Sequence, residues 1–150
     1  MAESVREIEN LLHTYAERID AGDLDGVAEL FTHGCILPSP DAAQAVTFKG
    51  RTQVRRMYEA ATRLYEDGTP RTKHVTTNAI IEVDDGAGAG TARSYYTVFQ
   101  QTDALPLQPI ICGRYHDTFR QRDGRWWFDT RTMFVDLIGN VSHHLLYELR

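Results

Sequence analysis

Cysteine is scarce in this chain, and its scarcity argues against two classes of protein. The only cysteines among the 150 residues are Cys35 and Cys112. Two cysteines are too few for a disulfide scaffold, and their wide separation does not match the ligand spacing of a zinc site. The histidines include no closely spaced trio, so we expect no bound metal. A reduced, cytoplasmic setting is the default expectation.

Long hydrophobic runs and an excess of positive charge are also missing. No apolar run approaches the ~18 residues needed to span a bilayer. The acidic, amphipathic N-terminus does not resemble a secretory signal. The net charge is −5 at pH 7, which argues against nucleic acid or an anionic membrane as the main partner. We therefore expect no nucleic acid and no membrane as partners.

The chain does have the composition of one globular domain. Apolar residues make up 42% of it and charged residues 25%, which are ordinary values. A domain of this length buries roughly 68–70% of the surface that its unfolded chain exposes. We see no internal repeat and no linker, so residues 1–150 are predicted to form a single domain.

The first part of the chain has the periodicity of helices. Residues 3–21 carry one apolar stripe at helical spacing, and Ser4 with Glu7 fits a capping box. Gly22 is a natural helix stop, and Asp23 can then cap a second, shorter helix.

An irregular segment separates these helices from a third one. Residues 35–48 contain short extended pieces, but Pro38 and Pro40 forbid a long central strand there. A third helix is predicted from about Thr52, which can serve as its N-cap, to Tyr65.

The second half of the chain has the pattern of long strands. Strands are predicted over residues 73–84 and 91–103, joined by a glycine-rich hairpin that lacks the Lys-Ser/Thr of a phosphate loop. A loop is predicted over 103–109. The last strands, 110–121 and 125–138, are joined by an Asp-Gly tight-turn signal. Helices followed by a meander of antiparallel strands indicate an α+β fold.

Short motifs along this framework resemble those of a known superfamily. They are Tyr15-Ala16 with Asp20; Gly22-Asp23 and Asp25 before Leu30-Phe31; Phe48-Lys49-Gly50-Arg51; Lys73-His74 with Asn78; Gly113-Arg114-Tyr115-His116-Asp117; and Asp123-Gly124-Arg125-Trp126. With them, nearly the whole chain resembles the SnoaL-like branch of the nuclear transport factor 2-like superfamily. The resemblance implies a cone-shaped α+β fold, in which three N-terminal helices pack on a curved, mainly antiparallel sheet around an apolar pocket.

The resemblance also implies a site. In the scytalone dehydratase, bile acid dehydratase and dehydrochlorinase members, an aspartate of the first helix pairs with a histidine near the start of a long strand. Asp20 and His74 match those positions. Arg131 resembles an arginine on the last strand of the dehydrochlorinase, and Tyr15 stands five residues before Asp20, as a tyrosine does in the bile acid dehydratase pattern. The second pocket histidine of scytalone dehydratase has no clear counterpart here.

Each of these residues also has a plain structural interpretation. His74 can be a hydrogen-bonded histidine without a catalytic role, and Asp20 can be a surface carboxylate at a helix end, although a negative charge there is mildly unfavourable. Tyr15 lies in the apolar stripe, so a core aromatic and a substrate-binding hydroxyl are both open. The two histidines His143 and His144 fall in a C-terminal tail that could cover a pocket or a neighbouring subunit.

For Arg131 the choice lies between two kinds of anionic partner. A buried arginine needs an anion, which can be a ligand or a protein carboxylate such as Asp117 or Asp129. As a clamp, its guanidinium would point into the cavity that holds His74.

The favoured function is a small cofactor-free lyase or isomerase with dehydratase-like proton abstraction. His74 would remove a proton next to a carbonyl or leaving group, and Asp20 would orient it. Tyr15 and Arg131 would hold the developing oxyanion or the leaving group of an apolar, oxygenated small molecule. The alternative is a non-catalytic small-molecule-binding or assembly module of the same fold.

We also expect a homodimer. The strand 94–99 is apolar on both faces, and one face packs on the helices, so the other needs cover. The resemblance supports this expectation, because members of the family commonly pair through this sheet.

Overall fold

The structure is a computed structural model that describes residues 1–40 and 46–148. The helices are α1 (Ala2–Asp20), α2 (Leu24–Glu29) and α3 (Gly50–Ala61). The strands are β1 (Cys35–Leu37), β2 (Phe48–Lys49), β3 (Thr72–Asp84), β4 (Ala89–Thr102), β5 (Leu105–Arg122) and β6 (Arg125–Ile138). This is the α+β architecture that the sequence predicts. Within the described part of the chain, no helix is long and apolar enough to cross a bilayer.

Among the described residues, six strands form one sheet in the order β2-β1-β6-β5-β4-β3. All neighbours are antiparallel except β1 and β6, which are parallel. The register of β5 with β6 shifts after Cys112 and again after Thr118. Such bulges bend a strand and increase its twist. The sheet therefore curves, and its concave face receives the helices.

The stripe of α1 packs into this concavity. Ile8, Leu12, Tyr15 and Ile19 are buried in the core, together with aromatic residues of the long strands such as Phe128. This packing explains why α1 is helical despite its polar outer face, because a three-turn or longer helix gains most of its stability from its apolar side.

The C-terminal end of α1 is fixed by Gly22, as predicted. Gly22 has a φ of 72°, a left-handed conformation that glycine adopts without strain. A Cβ atom there would lie 1.9 Å from the carbonyl oxygen of Gly68, so no larger residue fits. Asp23 caps α2 as predicted, since its Oδ1 accepts a hydrogen bond from the backbone N–H of Gly26 at 2.9 Å. Gly22 and Asp23 therefore fix the position of Asp20, the last residue of α1.

The helix predicted over residues 3–21 is present, but its predicted capping box is wrong. The helix begins at Ala2 with Met1 at its N-cap, which leaves the proposed capping box inside the first turns. The hydroxyl of Ser4 donates instead to Asp85 at 2.6 Å. A long-range partner on the β3–β4 hairpin therefore replaces the local cap.

The predicted bounds of α3 are also wrong. The helix begins at Gly50, after Lys49 at the N-cap, and ends at Ala61. Its end is earlier than predicted because Thr62 is extended and forms an isolated β-bridge with Leu145.

The loop predicted over residues 103–109 is a strand for most of its length. β4 continues to Thr102 and β5 begins at Leu105, so only two residues turn the chain. Pro106 and Pro109 fit within β5 because the register shifts on β4 beside them, where ladder hydrogen bonds are interrupted.

Candidate active site

Asp20 and His74 form a hydrogen-bonded pair between the end of α1 and the start of β3. Oδ1 of Asp20 lies 2.6 Å from Nδ1 of His74, and Oδ2 accepts the backbone N–H of His74 at 2.8 Å. The hydroxyl of Thr72 also donates to Oδ1, at 2.9 Å. Both side chains of the pair are about nine-tenths buried. The predicted hydrogen bond between Asp20 and His74 is therefore present.

This geometry determines which nitrogen of His74 is free. A carboxylate only accepts hydrogen bonds, so Nδ1 carries the ring proton that it donates to Asp20. The other ring nitrogen, Nε2, is then an acceptor with a lone pair. A positioned imidazole of this kind can take a proton, and the adjacent carboxylate stabilises the imidazolium that results.

His74 lines a cavity of about 160 Å³ between the helices and the concave face of the sheet. Most of the wall is apolar, with side chains such as Ile19, Met57 and Val98. The polar groups are Thr62, two histidines and the hydroxyls of several tyrosines. Larger surface grooves exist, including one of about 450 Å³ beside Glu82, but the residues that line it do not include His74. The partly open cavity beside His74 is the better candidate, because binding sites are concave and mainly apolar with a few convergent polar groups.

Tyr15 and Tyr58 contribute a pair of phenols to this cavity. Their hydroxyls are hydrogen-bonded to each other, and both side chains are buried. Burial raises the pKa of Tyr15 and, more strongly, the pKa of Tyr58. Both phenols therefore keep their protons at neutral pH. One hydroxyl donates to the other, so the pair has one O–H left to donate to a ligand. Tyr15 is at once a core aromatic and a pocket residue, so the two interpretations of its role are compatible.

Tyr58 is a pocket residue that the sequence did not single out. Its spacing on α3 marks it only as part of the apolar side of that helix. Its partnership with Tyr15, on another helix, depends on how α1 and α3 pack.

Arg131 lies behind the cavity wall and not in the wall. Its side chain has no exposed surface, and it is not among the residues that line the cavity. Nε donates to Oδ1 of Asp117 at 2.8 Å, and Nη2 donates to Oδ2 at 3.0 Å. The expectation that the guanidinium points into the cavity beside His74 is not met. The salt-bridge alternative is the observed one, because the register places Asp117 directly opposite Arg131 on the next strand.

The Arg131 guanidinium is also sandwiched between aromatic rings. It lies 3.7 Å from the ring centroid of Tyr115 and 4.3 Å from that of Tyr15. Burial alone would lower the pKa of Arg131, but the Asp117 carboxylate outweighs burial and raises it. Burial raises the pKa of Asp117, and Arg131 opposes that rise. We treat both groups as charged, because a guanidinium keeps its proton in proteins and the bidentate geometry is that of a carboxylate.

A second histidine reaches the cavity from the C-terminal segment. His144 is only 8% exposed, and its ring centroid lies 6.2 Å from that of His74. Burial, and next the proximity of His74, lower the pKa of His144 to about 4. The sequence offered no clear counterpart for a second pocket histidine. The structure places His144 in the cavity wall from a segment without helical or strand periodicity, where sequence patterns do not reveal position.

The segment that carries His144 forms part of the cavity wall, and we call residues 140–147 the C-terminal strap. Two backbone bonds join the strap to the end of α3: the N–H of Arg63 donates to the carbonyl of His144 at 2.9 Å, and the N–H of Leu146 donates to the carbonyl of Ala61 at 3.0 Å. Two side chains bind the carbonyl of His143. The amide of Gln100 donates to it at 3.0 Å, and the hydroxyl of Tyr65 also donates to it. These bonds tie the strap to the end of α3 and to β4.

The described residues offer no obvious cation site. Across 1–40 and 46–148, no three histidine, cysteine, aspartate or glutamate side chains are grouped so that they could hold a metal ion. Both cysteines are free thiols.

Comparison with known proteins agrees with the architecture. The SnoaL-like domain model matches residues 1–132. A provisionally assigned scytalone dehydratase from Novosphingobium aromaticivorans superposes with a TM-score of 0.74 at 21% identity, covering 99% of this chain and 91% of that one. A Mycobacterium tuberculosis protein of unknown function gives 0.72 at 24% identity, covering 90% and 73%.

A third similar structure is named for its fold. It is an NTF2-like protein with a cystatin-like fold from Novosphingobium aromaticivorans, with a TM-score of 0.73 at 20% identity, covering 95% of this chain and 87% of that one. At these identities the likeness concerns the fold alone. No curated protein sequence matches the chain significantly.

Proposed function

This chain belongs to the SnoaL-like domain family, and on that premise we propose that it is a cofactor-free lyase or isomerase acting on a small, apolar, oxygenated molecule. The observation that carries the proposal is the orientation of His74. Its Nδ1 is bound to Asp20 at 2.6 Å, which leaves Nε2 as the proton acceptor of an imidazole that lines a mainly apolar cavity.

The chemistry follows from this base. Nε2 of His74 takes a proton from the carbon next to a carbonyl, and the C–H electron pair moves toward the carbonyl oxygen as an enolate. In a dehydration, the pair then forms the C=C bond while the β C–O bond breaks. The departing hydroxide takes the proton back from His74 and leaves as water. In an isomerisation, the proton returns to a different carbon, and the base is again restored.

The phenol pair supplies the groups that stabilise negative charge. Tyr15 and Tyr58 keep their protons, and their hydroxyls lie in the same cavity as His74. Donors that are already in place for a developing oxyanion are effective in a site from which water is excluded. Arg131 would act through Tyr15, since its positive charge lies over that ring. In this proposal Arg131 is a positioning residue and does not touch the substrate.

The dimensions of the cavity limit the substrate. A volume of about 160 Å³ is below the ~300–1,000 Å³ range of sites for drug-sized ligands. The apolar lining favours a hydrocarbon body, and the polar groups near His74 and the tyrosines favour one or two oxygens. A small hydroxy ketone has this chemistry.

A second candidate function is binding without turnover in the same cavity. It is favoured by the pairing of Arg131 with Asp117, which commits the strongest anion-binding group near the site to a protein carboxylate. The two candidates make different demands on His74, because binding does not need a base.

A set of small β-hydroxy ketones tests the proposal. Water loss produces an enone, which is followed by its ultraviolet absorbance with the wild-type protein, His74→Gln and the matched control His143→Gln. We expect turnover in the wild type and the control, and a loss of about 10²-fold or more in His74→Gln. Equal rates in all three would contradict catalysis by His74, and ligand binding without turnover would favour the second candidate.

A further inference from the structure

His144 is buried in the cavity wall without the hydrogen bonds that usually fix a structural histidine. Its Nδ1 is inaccessible and has no partner, whereas Nδ1 of His74 is bound to Asp20. A buried polar group left unpaired is destabilising, so its presence needs an explanation. The strap holds His144 in place through its backbone, by bonds at its own carbonyl and at that of the preceding residue. The ring itself therefore has no evident role in holding the strap.

The two imidazoles are close enough to contact one ligand. Their centroids are 6.2 Å apart, and each nitrogen lies beyond its ring centroid. Hydrogen bonds span about 2.7–3.2 Å, so one oxygen placed between the two rings can be within hydrogen-bond range of both. Both rings line the same cavity.

We propose that His144 is a second catalytic histidine, which hydrogen-bonds the substrate oxygen that gains negative charge while His74 takes the proton. This inference rests on the proposed function, because it assigns a role within the same site. His144 donates a hydrogen bond and keeps its proton throughout, so the proton balance of the reaction is that of His74 alone.

The electrostatic state of His144 suits this role. Because burial and His74 lower its pKa to about 4, the ring is uncharged at neutral pH. A neutral imidazole still has one N–H donor. It also does not repel the imidazolium that forms on His74, as a second cation would at this distance. The pocket thus contains one imidazole that can change its charge and one that stays neutral.

The test uses 4-nitrophenol, whose absorption spectrum distinguishes the phenol from the phenolate and which presents one oxygen to the site. Its affinity is measured by spectrophotometric titration at neutral pH for the wild type, His144→Phe and His144→Gln. His143→Phe is the matched control, since it changes the adjacent histidine of the strap, which does not line the cavity. We expect about tenfold weaker binding in His144→Phe, because phenylalanine cannot donate the hydrogen bond that the oxygen of the probe accepts from His144. We expect a smaller loss in His144→Gln and none in the control.

Amide proton NMR of Leu146 reports whether the strap stays in place in each variant, since that N–H is bonded to Ala61. Equal affinity of the wild type and His144→Phe would overturn the inference, and so would a wild type that does not bind the probe. Equal losses in both His144 variants with a displaced Leu146 amide would also overturn it, because the effect would then come from the strap. If the affinity changes as expected but no hydroxy ketone reacts, His144 contacts the ligand oxygen, but its catalytic role fails together with the proposed function.

Discussion

Arg131 and Asp117 form a bidentate ion pair in which neither side chain has any exposed surface. The pair joins β6 to β5 directly across the ladder. It also lies beneath Tyr15, so that it supports the pocket from behind. A buried pair of this kind is strongly coupled to the stability of the fold.

We expect Arg131→Met to destabilise the protein by about 3–5 kcal/mol, because it leaves the Asp117 carboxylate buried and unpaired. Urea unfolding measures the change. The double variant Arg131→Met with Asp117→Leu should recover much of the loss, since the unpaired charge is gone. A single variant with nearly wild-type stability but no ligand binding would instead show that Arg131 contacts the ligand.

Asp20→Asn should lower the catalytic rate by about 10²-fold or more, because an amide cannot accept hydrogen bonds at both of its ends. The Asp20 carboxylate accepts hydrogen bonds from the ring and from the backbone N–H of His74. In the variant, either one of these hydrogen bonds is lost or the side chain no longer fixes the ring proton of His74 on Nδ1. Nitrogen-15 NMR of the His74 ring, beside the enone assay, checks both effects.

The matched control for Asp20→Asn is Thr72→Val. It removes one hydrogen bond to Asp20 but leaves both contacts with His74. We expect a much smaller loss of rate in this control. Similar losses in the two variants would mean that Asp20 matters for packing and not for the orientation of His74.

Protein stability should fall as the pH is lowered from about 6.5 to about 4, in part because of His144. The unfolded side chain has a pKa near 6.5, and the folded one has a pKa of about 4. Between these values the unfolded chain binds a proton that the folded chain excludes, so the free energy of unfolding decreases. The contribution is about 3 kcal/mol when both values are crossed.

Urea unfolding across this pH range, compared between the wild type and His144→Gln, isolates that contribution. The variant should lose less stability on acidification than the wild type. Parallel pH profiles would mean that His144 takes up a proton in the folded state as readily as in the unfolded one.

We propose that two copies of the chain pair through the outer face of the sheet. Tyr95 is 53% exposed and Val75 is 40% exposed on that face, and an exposed apolar patch of this kind is typical of an interface. Tyr95→Lys should shift the protein toward monomer in sedimentation equilibrium at micromolar concentration, whereas Leu64→Lys, in the loop after α3, should not. A wild type that is already monomeric would contradict the proposal.

The sequence predicts well those features that depend on neighbouring residues. Gly22 ends α1 and Asp23 caps α2 as expected, because a left-handed turn and a bond to Gly26 need only a few residues. The family resemblance predicts the hydrogen bond between Asp20 and His74, although the two residues are 54 positions apart in the sequence.

The errors concern contacts that depend on distant parts of the chain. Ser4 looked like a cap, but a hairpin residue takes its hydrogen bond. Strand alternation could not decide whether Arg131 meets a ligand or a carboxylate, because this depends on the register with Asp117. The position of His144 depends on hydrogen bonds from its strap to residues near Ala61, about 80 positions earlier.

The central claim is that His74, held by Asp20, is a base in the cavity, and deuterium exchange measures this most directly. Proton NMR in D₂O follows loss of the α-proton from a small β-hydroxy ketone in the presence of wild-type protein, His74→Gln or His143→Gln. The account predicts exchange or elimination with the wild type and with His143→Gln, and a rate lower by about 10²–10⁴-fold with His74→Gln. An undiminished rate with folded His74→Gln would contradict it.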